Sequence, residues 1–386
     1  MAAIGAIALG TVDSKIVTAL NDAEEPYDLV VAGNTLDHAL SLGLELDKCT
    51  QLSSSSVKVS DAGLAAVVHG LEASKSLSEV YLRFLECENF GDAGATAVGQ
   101  RLGASKSLTD ATLYIEKCHE VSDVGVTALA QGLGASKSLT VAYLYFEGLD
   151  NISDAGAAEV IQGLAASKSL TNVTLYISSC NNVGDRGMSR LAQGMPAFKS
   201  LTRFCLHIYH CDNVGDAGVM AVAQELGALA NLTYVHFAFW GCTELGDAGV
   251  SALAQGLGAL TSLTKLHLEF RTLDKVSDAG VMAVAQGLGA LNFLSFVFLR
   301  LNGCNVGDPG AAALGQGLGS SKSLTSTRLY LQDCCNVGDA GLTGLAQGLA
   351  ALTSLTKVQL EFRTLDKVSD AGVTAVAARG LELRQA

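Results

Sequence analysis

The stretch DAGVSALAQGLGALTSLTKLHLEFR, residues 247–271, changes from one hydrophobic period to another, and this change decides the fold. Its first part places apolar side chains at the i, i+3, i+4 and i+7 positions of one helix face: Val250, Leu253, Ala254 and Leu257. In its second part apolar and polar residues alternate, as in a strand with one buried side: Leu263, Leu266, Leu268 and Phe270, with His267, Glu269 and Arg271 between them. The stretch therefore predicts a helix followed by a short half-buried strand.

The same unit recurs along most of the chain. Each copy carries an Asp two residues before a Gly: Asp61, Asp92, Asp123, Asp154, Asp185, Asp216, Asp247, Asp278, Asp308, Asp339 and Asp370. Nine of the ten spacings are 31 residues and one is 30. We therefore expect eleven 31-residue repeats that form one solenoid domain over residues 41–386. Residues 1–40 match the repeat poorly and are expected to form an atypical N-terminal cap.

Within each repeat, the residue types predict how the helix begins and ends. Asp is a preferred N-cap, so each of these Asp residues should cap its own helix. Glycines such as Gly256 and Gly258 should end the helix. Two irregularities are expected: a serine-rich insertion at 51–59, and a last helix, from Asp370, that no strand follows.

Equivalent strands in every repeat should pair in parallel. We expect an α/β horseshoe of eleven strands and eleven helices, with the parallel sheet on the concave face and the α-helices on the convex face. The chain must curve because helices are bulkier than strands.

The repeat resembles the leucine-rich-repeat family. The resemblance rests on Leu-x-x-Leu-x-Leu spacings such as Leu263, Leu266 and Leu268, and on a Cys that follows three to five residues later in many copies. The run CHEVSDVG, residues 118–125, is similar to the cysteine-containing and ribonuclease-inhibitor-like subtypes. The resemblance implies a solenoid in which this Cys is buried and packs beneath the turn.

Seven of the ten cysteines occupy this one slot: Cys87, Cys118, Cys180, Cys211, Cys242, Cys304 and Cys334. Cys49 is expected in the same slot of the first strand. Metal sites usually pair cysteines at short spacing, and Cys334–Cys335 is the only adjacent pair. Buried reduced thiols are the preferred interpretation over disulfides or a metal, and they predict a cytoplasmic protein.

The outward positions of the predicted strands are rich in aromatic residues. They hold seven of the nine tyrosines and the only tryptophan of the chain. Exposed Tyr, Trp, Arg and His residues dominate binding energy at interfaces, so these positions predict a partner-binding surface. Its candidate residues are Tyr81, Tyr114, Tyr143, Tyr145, Tyr176, His207, Tyr209, His236, Trp240, His267, Arg271, Arg300 and Tyr330.

Three of these candidates are histidines that should lie close together. His236 and His267 hold the same outward position in adjacent repeats, and His207 lies diagonally beside them. Three imidazoles at such a range could bind zinc. Because the sequence reveals no carboxylate partner for their second ring nitrogens, we predict no metal site and no cofactor.

The function expected from these patterns is a non-enzymatic scaffold or recognition module for a protein partner, with no catalytic residues. A ligand- or sugar-binding receptor and a regulator of a small GTPase are the alternatives. The net charge of -13 disfavours nucleic acid and anionic membranes, and no segment predicts membrane insertion. Lysines also recur in the turn before several strands, where we expect them to form a solvated basic column: Lys75, Lys106, Lys137, Lys168 and Lys322.

Overall fold

The protein is described by a computed structural model covering residues 4–9, 27–32, 49–57, 76–88, 90–334, 336–362, 367–377 and 383–384. The chain divides into two compact units. Unit 1 comprises Met1–Asn182 and Ala197–Leu201, and unit 2 comprises Val183–Pro196 and Thr202–Ala386. Each unit repeats the predicted alternation of strand and helix.

Unit 1 is a parallel sheet with helices between consecutive strands from β4 onward. Its strands are β1 (Ile4–Leu9), β2 (Tyr27–Ala32), β3 (Cys49–Val57), β4 (Glu79–Leu85), β5 (Asp110–Glu116), β6 (Val141–Glu147) and β7 (Asn172–Ser178). The helices described in this unit are α1 (Asp92–Ala104), α2 (Asp123–Gly134) and α3 (Asp154–Ala165).

Unit 2 continues the same pattern, and its strands are also parallel. Its strands are β8 (Arg203–Tyr209), β9 (Tyr234–Trp240), β10 (Lys265–Arg271), β11 (Phe296–Arg300), β12 (Ser326–Tyr330), β13 (Lys357–Glu361) and β14 (Leu383–Arg384). Its helices are α4 (Asp185–Gly194), α5 (Asp216–Glu225), α6 (Asp247–Gly258), α7 (Asp278–Ala290), α8 (Asp308–Gly319), α9 (Asp339–Ala350) and α10 (Asp370–Ala377).

The core lies between the strands and the helices of each unit. Alternate side chains of β10 are buried, and Leu266 and Leu268 line the same internal space as Ala254 and Leu257 of α6. The two hydrophobic periods of the repeat thus face each other across one apolar layer, as predicted. The opposite side of each strand carries the outward residues, and we call this helix-free side the open face of each unit.

From Asp92 onward, the Asp of each repeat begins a helix, as predicted, but it does not cap that helix. Asp92 is the first residue of α1, and its carboxylate reaches the start of the next helix, α2. There it accepts hydrogen bonds from the backbone N–H groups of Ser122 at 2.7 Å and Gly125 at 2.9 Å. The prediction of self-capping is wrong because a side chain at the first helical position lies beside the free amides of the next repeat, not its own.

The same cross-repeat cap recurs in unit 2 and explains the Gly that follows each Asp. Asp216 accepts from the N–H groups of Gly246 and Gly249, both at 2.8 Å. A Cβ atom added at Gly249 would lie 2.7 Å from the Asp216 carboxylate oxygen, closer than real Cβ contacts. The Asp-x-Gly signature is therefore a contact between successive repeats.

The predicted role of Gly256 as a helix stop is also wrong. Gly256 lies inside α6, which ends at Gly258. A Cβ atom at Gly256 would stand 2.3 Å from the carbonyl oxygen of Ala223 on α5. The absent side chain lets the two helices pack closely, and this close approach is the physical reason for the Gly.

The ends of the chain hold more strands than predicted. Ten of the eleven expected strands are β4 to β13, and the structure adds β1, β2, β3 and β14. Residues 49–57 form a strand where a serine-rich insertion was expected at 51–59. Gln51 pairs with Glu79, and the register to β4 shifts between Ser54 and Val57. Cys49 is the first residue of β3 and does not share the slot of Cys87, which follows β4. β14 follows the last helix, where no strand was expected. The helix predicted from Asp61 and the residue Lys75 lie outside the described residues.

Within the part of the chain that the structure describes, we find no helix of sufficient length and apolar character to traverse a lipid bilayer.

Candidate partner-binding surface

All thirteen candidate residues lie on the open faces, and all of them are half-buried. This intermediate exposure has a physical cause, because outward side chains on neighbouring parallel strands stand about 5 Å apart and cover one another. The register of strand pairing decides which side chains meet.

The open face of unit 1 carries a row of tyrosine rings. Tyr114, Tyr145 and Tyr176 are direct partners in the registers of β5, β6 and β7. Their ring centroids are 4.8 Å apart for the first pair and 3.9 Å for the second. Tyr81 joins the row diagonally, 5.1 Å from Tyr114. Tyr143 lies in a different column, where its register partners are threonines.

Two polar contacts involve charged side chains of these strands. The Tyr145 hydroxyl donates a hydrogen bond to the Glu147 carboxylate at 2.7 Å. The Arg83 guanidinium donates to the Glu116 carboxylate, with Nε at 2.8 Å. Burial, and then the bond to Glu147, raises the pKa of Tyr145 well above its ordinary value, and burial likewise raises the pKa of Tyr114. Both phenols therefore remain neutral hydrogen-bonding groups at physiological pH.

In unit 2, Trp240 is the centre of a mixed cluster of aromatic and cationic side chains. The Tyr209 ring lies 5.6 Å from the Trp240 ring in an edge-on arrangement, and the His210 ring lies 4.9 Å away. The Arg271 guanidinium lies over the Trp240 ring at 4.1 Å from its centroid. Such a cation–π contact orients both side chains.

The three predicted histidines are adjacent, as their positions in the sequence suggested. The rings of His207 and His236 are 4.2 Å apart, and those of His236 and His267 are 5.1 Å apart. Burial, followed by the nearby charge of His236, lowers the pKa of His207 to about 3 and that of His267 to about 4. Both imidazoles are therefore neutral at physiological pH.

The expectation that these histidines have no carboxylate partner is wrong. His236 Nε2 lies 3.1 Å from the Glu269 carboxylate, which also accepts from Arg300 at 2.9 Å. Burial alone would raise the pKa of Glu269, but the His236 bond and the Arg300 charge outweigh it and hold that pKa below its usual value. Glu269 occupies an outward position two residues after His267, so the sequence places it on the same side of the sheet as the histidines. The sequence does not give the side-chain orientation that brings its carboxylate to His236.

The last two candidates form a second aromatic and cationic group. Arg300 lies 4.7 Å from the centroid of the Tyr330 ring and 5.2 Å from that of Phe298. Phe298 also stacks on His267 at 5.3 Å. Contacts therefore run without a break from the histidines to Tyr330.

Several contributors to this face were absent from the predicted set: Arg203, Cys205, Glu269, Phe298 and Arg328. Glu269, Phe298, Cys205 and Arg328 hold the same outward positions as the predicted residues, so position alone could have found them. Arg203 lies two residues before Cys205, the first outward position predicted on this strand. Its guanidinium is 4.2 Å from the centroid of the Tyr234 ring. The Sγ of Cys205 and one ring nitrogen each of His207 and His236 lie within 4.8 Å of one another, which makes these three residues a possible metal-ligand group.

The cysteine slot behaves as predicted wherever the structure describes it. Cys87, Cys118, Cys180, Cys211 and Cys242 are buried thiols outside any disulfide. Cys242 donates to the carbonyl oxygen of Ile208 at 3.4 Å, and burial raises the pKa of its thiol to about 12. The side chains of Cys49 and Cys335 lie outside the described residues. The buried thiols fill space in the core and donate hydrogen bonds to backbone carbonyl oxygens.

The lysines of the turns are separate from the open faces. Lys106, Lys137, Lys168 and Lys322 are all exposed. Their solvated state agrees with the interpretation that they belong to polar turns.

Parallel strands backed by helices, in repeats of 31 residues with Asp-x-Gly contacts between them, define an α/β solenoid. A sequence profile described as "Leucine Rich repeat" matches residues 170–192 and 295–315. Two stretches of the chain thus match the leucine-rich-repeat profile, and the predicted fold class, a leucine-rich-repeat solenoid, is confirmed.

A solved structure gives the same result for the fold. The chain is similar to one in the "Crystal structure of Rad7 and Elc1 complex in yeast", with 15% sequence identity and a TM-score of 0.52. The similarity covers 96% of this chain and 82% of the other. No curated protein matches the chain significantly in sequence.

Proposed function

We propose that this protein is a non-enzymatic module that binds a protein partner on the open faces of its sheets. One observation carries the proposal: large aromatic and arginine side chains occupy the helix-free faces as contacting, half-exposed rows. Residues that only had to cover a sheet would be small or polar, whereas Tyr, Trp and Arg are the types that dominate interface energy.

The contacts within these rows favour tight binding. Tyr145 is held between two other rings, and Arg271 is held over Trp240. Side chains that are already ordered lose little conformational entropy when a partner binds, which removes about 0.5–1.5 kcal/mol of cost for each side chain. The open faces are therefore pre-organised for recognition.

A protein partner fits these faces better than a sugar does. Sugars stack on free ring faces, but neighbouring tyrosines at 3.9 and 4.8 Å already cover the faces of Tyr145. The edges and hydroxyl groups that remain accessible suit a polypeptide surface. The net charge of -13 opposes a nucleic acid as the main partner.

We also infer that the protein works in a reducing compartment, as expected for the cytoplasm. Eight described cysteines are buried as thiols, and the slot that holds most of them uses the thiol as a donor to backbone carbonyl oxygens. Oxidation would remove that donor and strain the turn.

The test combines Trp240→Ala with Tyr209→Ala. We expect at least about thirtyfold weaker binding of the partner captured from source lysate, since truncating a hot spot costs ~2 kcal/mol or more and ~1.4 kcal/mol corresponds to a tenfold change. Affinity is measured by titration with the purified partner, and folding is checked by thermal melting.

The matched control truncates two exposed side chains on helices, Met220→Ala with Met282→Ala. These residues are 38% and 43% exposed, on α5 and α7. We expect this control to bind as the wild type does. If the open-face variant binds normally while the helix variant does not, the helices are the binding surface and the proposal is wrong.

A further inference from the structure

Three potential metal ligands meet on the open face of unit 2. Cys205 and His236 are direct register partners on β8 and β9, and His207 follows Cys205 by two residues, so that it points to the same side. One ligand atom from each, the Cys205 Sγ and one nitrogen from each ring, lie within 4.8 Å of one another. Strand register therefore adds His236, from the next repeat, to two donors that already lie on one side of β8.

Space for this arrangement comes from a small neighbour. The register partner of His207 is Ala238, the smallest residue at the central outward position of any strand from β4 to β13. Ala238 is fully buried although it faces the open side, because larger neighbouring side chains cover it. The His207 ring can therefore approach His236 to 4.2 Å.

A carboxylate orients one of the rings as metal sites require. His236 Nε2 lies 3.1 Å from Glu269, which Arg300 holds from its other side at 2.9 Å. When Nε2 carries the proton shared with this carboxylate, Nδ1 keeps the lone pair that a metal ion needs. Metal-binding histidines commonly use their second nitrogen in this way.

On these grounds we propose that Cys205, His207 and His236 form a binding site for Zn²⁺, with Glu269 as the carboxylate that orients His236. One thiolate and two imidazoles suit zinc, which binds sulfur and nitrogen ligands at about 2.0–2.3 Å in tetrahedral geometry. Ligand atoms around one such ion lie roughly 3–4 Å apart. The present separations therefore close with about 1 Å of side-chain movement.

Three protein ligands leave one coordination position of the ion for a water molecule or an incoming donor. Binding releases the Cys205 thiol proton to solvent, because the thiolate is the form that ligates. Cys205 is only 6% exposed, whereas the His236 side chain is 17% exposed, so the ion would enter from the histidine side. His207 and His236 also belong to the proposed partner-binding surface, but metal binding is measured without a partner, and the partner test changes only Trp240 and Tyr209. The two proposals can therefore fail separately.

The experiment uses the full chain, stripped of metal with a chelator and titrated with Co²⁺ as a spectroscopic substitute for Zn²⁺. We expect one Co²⁺ per chain, a thiolate-to-cobalt charge-transfer band in the near ultraviolet, and intense visible bands typical of four-coordination. Zn²⁺ should then displace the cobalt and abolish both signals. A wild-type chain that gives no charge-transfer band would overturn the proposal.

Variants then identify the ligands. Cys205→Ser should eliminate the charge-transfer band. His236→Gln should weaken metal binding at least about 100-fold, because losing even a group that only orients a ligand weakens binding by up to about 100-fold. Glu269→Gln should keep the band but weaken binding by about 10-fold or more, as losses of orienting groups do. A band that persists in Cys205→Ser, or full affinity in His236→Gln, contradicts the proposal.

Two controls separate this site from its surroundings. Cys304→Ser removes another buried thiol of unit 2 that bonds to the Phe270 carbonyl oxygen, and it should leave the titration unchanged. His267→Gln removes the third neighbouring imidazole and should also leave it unchanged. If His267→Gln abolishes binding while Cys205→Ser does not, three histidines form the site and our ligand set is wrong. Circular dichroism checks folding, and His236→Gln still tests the proposal if the cysteine variant unfolds.

Discussion

The open faces of the two units use the same backbone but carry opposite charge. Strands β4 to β7 of unit 1 place four carboxylates and one guanidinium on this side: Glu79, Asp110, Glu116, Glu147 and Arg83. Strands β8 to β13 of unit 2 place six basic side chains and two carboxylates there: Arg203, Lys265, Arg271, Arg300, Arg328 and Lys357, with Glu269 and Glu361.

The difference shows which positions of the repeat are free to vary. Inward strand residues must fill one apolar layer, and the Asp-x-Gly pair must meet the next repeat, so both units keep them. Outward residues pack only against their lateral neighbours, so a tyrosine row and a histidine–arginine row fit the same scaffold. A chain with a net charge of -13 can therefore carry a basic surface on one unit.

The largest effect is expected from reversing charge on the basic face. Arg203→Glu with Arg271→Glu should lower the association rate with the partner about 100-fold at low salt, because complementary potentials steer encounter by 10 to 1,000-fold. The loss should shrink as ionic strength rises and screens the charges. Stopped-flow binding at several salt concentrations measures both effects.

The control for charge places the same reversal on the exposed turns of unit 1, as Lys137→Glu with Lys168→Glu. We expect these two substitutions to change the association rate little. Should they slow association more than the arginine variants do, the turn lysines and not the basic face would steer the partner.

A smaller effect is expected from removing the Asp cap between repeats, which both units share. Asp123→Ala in unit 1 and Asp216→Ala in unit 2 should each lower the free energy of unfolding by about 2 kcal/mol, the upper range for loss of a helix cap. The reason is the same in both, since each carboxylate accepts hydrogen bonds from the amides that begin the next helix. Denaturant unfolding measures the loss.

Asparagine variants at these two positions supply the control, because they keep one acceptor oxygen and should lose less stability than alanine. Equal losses in the two units would support a shared device between repeats. A large loss in one unit and none in the other would contradict it.

The smallest effect concerns the tyrosine row alone. Tyr145→Ala removes a ring held between two others and should cost about 1–2 kcal/mol of unfolding free energy, since each aromatic pair contributes roughly 0.5–1.5 kcal/mol. Tyr143→Ala on the same strand, in a column of threonines, should cost less. Thermal melting compares the two variants, and equal shifts would mean that stacking does not stabilise this face.

Part of the candidate surface was predictable because strand alternation fixes the side to which a residue points. All thirteen candidate residues lie on the open faces for this reason. Their partners were harder to predict, because an outward side chain can meet either its register partner or a diagonal neighbour. Arg300 reaches Glu269 along its own column, whereas His236 reaches Glu269 diagonally, and only the side-chain conformations select between the two.

The sequence by itself determined the repeat, the order of strand and helix, the buried thiols and the side on which the aromatic residues lie. Each of these follows from a period or a slot that recurs every 31 residues. Only the tertiary structure decided that Asp92 caps the following helix, that Gly256 admits a neighbouring helix, and that the Cys205 thiol lies near the His236 ring. These contacts join residues of different repeats, and their identity depends on the distance between stacked layers and on side-chain rotation, which no local pattern records.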